Sequence, residues 1–159
     1  MQRPNAAGTL RRVAPIEPLI LPLVNAINDT GLVTTFSSCQ AHYGEPQEPG
    51  DFSDRTKADV RAYFLPNVPE RDVESLILWV LSDHMDDPTQ WEAHLTVVKH
   101  YIADPRENGV LQPLDAILVF ELWPFDPTES DATKRRVVNK LIQRTTASVR
   151  EYIKQRQLH

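Results

Sequence analysis

Segments able to form strands arrive in two adjacent pairs, and helix-patterned segments precede, separate and follow those pairs. Residues 32–40 (LVTTFSSCQ) and 58–65 (ADVRAYFL) make the first pair, and 90–103 (QWEAHLTVVKHYIA) and 115–125 (DAILVFELWPF) the second. Neighbouring strands joined by short or irregular segments pair antiparallel, and helices between pairs pack onto one side of the sheet. The order α-β-β-α-β-β-α predicts an α+β fold. Its form is a two-layer sandwich of a four-stranded antiparallel or mixed sheet with three helices mainly on one face.

The helical patterns are specific. In PIEPLILPLVNAINDTG, Leu19, Leu23 and Ile27 recur at helical spacing, and Gly31 marks the stop. Pro22 removes a backbone donor, so the first turn breaks or restarts there. Residues 70–85 carry an apolar stripe of Val73, Leu76, Ile77, Val80 and Leu81. The last helix opens near DPTESDATKRR and buries Val137, Val138, Leu141, Ile142, Val149 and Ile153. Residues 1–14 are polar and aperiodic and read as a loose arm, leaving 15–159 as one domain. Between the first two strands, residues 43–57 form a long irregular loop, the kind that often carries function.

Composition excludes some roles. A net charge of −5 argues against sequence-independent coating of DNA, which needs clustered positive charge. One cysteine allows no internal disulfide and suits a reducing compartment. The N-terminal residues lack the apolar core of a signal peptide, and no apolar run reaches the length of a membrane span. The expectation is a cytoplasmic protein. Five glycines leave no Rossmann or Walker pattern.

A period of two sorts the strand residues into faces. Val33, Thr35, Ser37 and Cys39 fall on one face of the first strand, and Phe36 marks the other as the helix-covered one. Arg61 and Tyr63 share a face of the second strand. Glu92, His94, Thr96, Val98 and His100 share a face of the third, and Glu121 lies with Ile117, Val119 and Trp123 on the fourth. Cys39, His42, Arg61, His94, His100 and Glu121 are therefore candidates to meet on the uncovered side. Glu121, set among apolar residues, needs either solvent or a partner, for which Arg61 and Arg150 are available. The run Lys134-Arg135-Arg136 reads as the solvated side of the last helix, available to an anionic ligand.

The stretch TTFSSCQAH holds the chemistry. Cys39 and His42 can act as a nucleophile and its base, with Ser37 and Ser38 beside them as ligand contacts. The Cys-x-x-His spacing is half of a structural zinc site. No second such pair completes it, although His84, His94 and His100 are available, so no metal is assigned.

The helix followed by GLVTTFSSCQAH resembles a group of small bacterial and phage proteins with a T-x-x-S-C-x-G-H type strand end. It is also distantly similar to the tRNA wybutosine-synthesising methyltransferases (the third enzyme of that pathway), which carry T-S-S-C-S-G-R in a comparable place. Gln40, Ala41 and His42 stand here where that family has serine, glycine and arginine. The likeness implies a related fold, with S-adenosylmethionine as the cofactor that such a family uses on tRNA.

Two functional expectations follow. The first is a ligand site at Ser37, Ser38, Cys39 and His42 for a nucleotide or RNA component, with the 43–57 loop as its lid. The alternative is a non-catalytic protein-binding or regulatory module, of the kind found as phage or mobile-element accessories. It would act through an exposed sheet face or edge, with Trp91, Tyr101 and Trp123 as contacts.

Overall fold

A computed structural model describes residues 15–50, 55–102 and 115–158. The elements are α1 (Leu21–Asp29), β1 (Val33–Cys39), β2 (Ala58–Phe64), α2 (Glu70–Met85), β3 (Ala93–Ile102), β4 (Asp115–Pro124) and α3 (Asp131–Gln157). A short 3₁₀ turn, Pro88–Trp91, precedes β3 and takes residues 90 and 91 out of the expected strand. The sheet order is β1-β2-β4-β3, and every neighbouring pair is antiparallel. The predicted α+β sandwich and its order of elements are therefore present. The expected arm (1–14), residues 51–54 of the long loop and the turn at 104–113 lie outside the described residues. No helix among the described residues is long and apolar enough to cross a membrane.

Local chemistry explains the element ends. Pro22 lies in the opening turn of α1, where a missing N–H costs nothing, so this helix starts beside the proline. Gly31 follows that helix with φ of 71°, which a side chain would oppose. Ser130 caps α3, its Oγ accepting from the Thr133 N–H at 3.2 Å. Asp131 stands in the first turn of that helix, and Lys154 and Arg156 in the last, each matched to the helix dipole.

One apolar core joins the three helices to one side of the sheet. Val60, Ala62, Leu118, Phe120, Leu122 and Val97 face Leu23, Val24, Ile27, Val73, Leu76, Val80, Val138, Leu141 and Val149. Where α3 passes α2, the Trp79 indole N–H donates to the Ser148 carbonyl at 3.0 Å.

Among the described residues, no helix covers the other side of the sheet. Its rows can be read from the register: Cys39-Asp59-Glu121-Thr96, then Ser37-Arg61-Val119-Val98, with Tyr63-Ile117-His100 beyond. The face assignments for β2, β3 and β4 agree with the alternation in the sequence. On β1 they agree only in part. The ladder is irregular between Thr35 and Ser37, which leaves Phe36 as a bulged residue. Val33 is buried in the core and Thr35 is bonded to Asn28 of α1, whereas Ser37 and Cys39 turn to the open side. Phe36 is not on the covered face. It is exposed and stacks on Tyr63 with ring centroids 4.1 Å apart.

This division is testable by stability. Phe120→Ala, at a fully buried ring, is expected to lower the unfolding free energy by about 3–5 kcal/mol. Phe36→Ala loses only a surface aromatic pair, about 0.5–1.5 kcal/mol. Urea denaturation of the two variants, with the opposite ranking, would put the core on the wrong side.

Candidate functional site

The corner after β1 is built by backbone bonds from three distant segments. Ala41 has φ of 65° and is fully buried, so the chain turns tightly there without a glycine. Strand pairing ends at this turn and leaves carbonyls that need donors. Arg135 of α3 supplies them, donating to the Gln40 carbonyl at 2.8 Å and to the Ala41 carbonyl. Its guanidinium also lies over the buried Tyr43 ring, 5.1 Å from the centroid. The basic run expected to be solvated thus sends one of its arginines inward.

The segment before α1 closes the corner from the other side. Glu17 accepts from the Gln40 N–H at 3.0 Å through Oε1, and the Gln40 side chain accepts from the Leu19 N–H at 2.9 Å. The second oxygen of Glu17, Oε2, lies 2.9 Å from His42 Nε2. The other ring nitrogen, Nδ1, meets the Glu45 carboxylate. Donor atoms of Glu17, Cys39 and His42 all fall within 4.8 Å of one another, and all three residues are half-buried.

The long loop is tied at its two ends. Arg55 donates to the His42 carbonyl at 3.1 Å and to that of Glu45. The Tyr43 hydroxyl donates to the Thr56 carbonyl at 2.9 Å. Gly44, with φ of 74°, brings this segment against Asp131, whose Cβ would stand 3.4 Å from any added Cβ. The result is an open cleft of about 440 Å³, lined by His42, Tyr43, Gly44, Glu45, Pro46, Arg55 and Asp131.

Of the residues expected to form a site, the structure brings Cys39 and His42 together. Ser37 lies on the open face opposite Arg61, while Ser38 pairs with Val60 and turns to the covered side. Glu121 occupies the Cys39 row but is bound by Lys57, whose ammonium also sits 4.6 Å over the Trp123 ring. Neither suggested arginine serves as its partner. Arg150 pairs with Asp29 at 2.6 Å, and Arg61 lies 3.9 Å from Asp59. His94 and His100 are on β3, three strand spacings from β1, or about 14 Å away. They do not join Cys39. His94 instead stacks on Phe125, with centroids 4.5 Å apart.

Glu17, Glu45, Arg55 and Arg135 were missed. Glu45 lies three residues from His42, a spacing visible in the sequence, but the other three come from segments that only folding brings near. Chemically the arrangement offers a thiol, an imidazole and carboxylates around one point. Both ring nitrogens already face carboxylates, so accepting the thiol proton would require His42 to give one of them up.

His84, the remaining histidine considered as a ligand, is buried on α2 near Asp83, Asp87 and His94. Burial disfavours its imidazolium and holds its pKa below the ordinary 6.5, against the pull of the two aspartates. The unfolded chain therefore binds this proton more readily. The stability His84 contributes is complete above the unfolded value and declines as pH falls through the folded one. From about pH 8 to about pH 5 the urea midpoint should drop, and His84→Gln should flatten that drop. An unchanged slope in the variant would exclude His84 as its source.

No family model matches the chain, and no match was found among curated proteins or solved structures.

Proposed function

We propose that this chain is a small ligand-binding protein whose site is the corner after β1, taking a nucleotide or RNA component. The observation that carries this reading is the convergence of Glu17, Cys39 and His42 on a corner held by Arg135 and opening onto a cleft. Other features of the open sheet face fit such a ligand. The exposed Phe36–Tyr63 stack, on the same open face as Cys39, offers a platform for a base. Arg61, opposite Ser37, offers a planar cation for a phosphate. Cys39 and His42 are the reactive groups in this reading, and Ser37 and Arg61 help to hold the ligand.

The test is ligand-induced thermal shift with mononucleotides, S-adenosylmethionine and tRNA. At least one should raise the melting temperature of the parent chain. Replacing Phe36 and Tyr63 with alanine should weaken that ligand by about tenfold or more, given about 1–3 kcal/mol for stacking one base. The parent chain failing to respond to all three would end the reading.

A second reading, a protein-binding module, draws on a different surface. Trp91 is 75% exposed, and Tyr101 and Phe125 are about half exposed, all near the β3 edge of the sheet. Trp123, the third aromatic expected there, is half-buried beneath Lys57. A protein partner on this edge should bind the parent and Cys39→Ala equally and be lost in Trp91→Asp. Binding that follows Cys39 instead would exclude the module.

A further inference from the structure

We infer that Glu17, Cys39 and His42 form a binding site for one divalent transition-metal ion of the zinc class, a role that deepens and rests on the corner being a ligand site. A thiolate, an imidazole nitrogen and a carboxylate oxygen form a donor set that zinc and its neighbours favour. The three donor atoms lie within 4.8 Å of one another. Tetrahedral coordination at bond lengths of about 2.0–2.3 Å places donors on the order of 3.5 Å apart, so only small side-chain movements are needed.

Independent support comes from what surrounds the donors. A histidine that binds metal through one nitrogen commonly directs the other at a carboxylate, which orients the ring. His42 is held in this way, with Nε2 towards Glu17 and Nδ1 towards Glu45. Glu17 is oriented likewise. Its Oε1 is taken by the Gln40 N–H, which leaves Oε2 directed at the cluster. Gln40 is in turn fixed by Leu19 and Arg135. The donors thus sit on a part-buried hydrogen-bonded frame, and surface acids gathered by chance lack that backing.

The site supplies three protein donors, which leaves a fourth position for water or a ligand atom. That is the pattern of metal sites that act on ligands, in contrast to four-donor structural sites. The cleft beside His42 and Glu45 lies where such a ligand would enter. Binding would replace a proton on the thiol with a metal bond, so affinity should rise with pH.

The experiment uses the full chain, reduced and stripped with a chelator, and titrates it with Co²⁺ and then Zn²⁺. One Co²⁺ per chain should bind with a near-ultraviolet thiolate-to-cobalt charge-transfer band, and Zn²⁺ should displace it. Cys39→Ser should abolish the band. Glu17→Gln and the exposed Glu45→Gln should each weaken binding by about tenfold or more. Circular dichroism melts establish that each variant is folded, and Glu45→Gln still decides the matter if replacement of a half-buried donor unfolds the chain. No band in the parent, or binding indifferent to both Cys39→Ser and Glu45→Gln, overturns the metal site. Repeating the nucleotide and tRNA thermal shifts in chelator separates the two proposals. A shift that persists in chelator, with no Co²⁺ band in the parent, retains the ligand site and removes only the ion, whereas Co²⁺ binding without any nucleotide response does the reverse.

Discussion

One arginine holds the functional end of this molecule in place. Arg135 reaches from the first half of α3 to two consecutive carbonyls at the end of β1, and its plane lies over Tyr43. A buried carbonyl with no donor costs about 1–3 kcal/mol, so the turn at Ala41 depends on this contact. The left-handed backbone of Ala41 adds its own strain, which persists only where surroundings over-determine it. From that fixed turn follow the direction of His42, the approach of Glu45 and the seating of Tyr43. Lysine would not serve equally well, because a single ammonium lacks the planar fork that meets two oxygens at once.

The sheet divides labour between its faces. Helices cover one side and exclude water with aliphatic residues from every strand. Across the other side run charged and aromatic groups in register, with Lys57 joined to Glu121 and Phe36 laid on Tyr63. The corner lies at the end of β1, where Glu17 from before the first helix and Arg135 from the last both reach it. A site there can be rigid on its helical side and accessible on the other.

Much of the architecture was legible in the residues. Apolar spacing located three helices, and alternation assigned the faces of β2, β3 and β4, because both signals are local. Pro22 marked the start of α1 for an equally local reason. The site was legible only as far as its local part, Cys39 and His42. Glu17 was silent because nothing near it in the chain distinguishes it from other charged residues, and Arg135 was visible only as part of a basic run that reads as solvated. The grouping of His94 and His100 with Cys39 failed because alternation reports which face a residue occupies and says nothing of strand order. With β3 at the far edge, two residues on one face can still be remote.

The irregularity at Phe36 has an evolutionary corollary. Val33 enters the core, and an uninterrupted strand would carry Cys39 inward with it, six positions on and in the same phase. One surplus residue reverses that phase and delivers the sulfur to the side where solutes arrive. Losing the Phe36 codon itself would leave the thiol outside, because Ser37 would then follow Thr35 in plain alternation, whereas a strand that kept every residue and paired without the bulge would withdraw the thiol beneath the helices. Homologues of this chain should therefore be compared by the pairing register of that strand as carefully as by the identity of its cysteine.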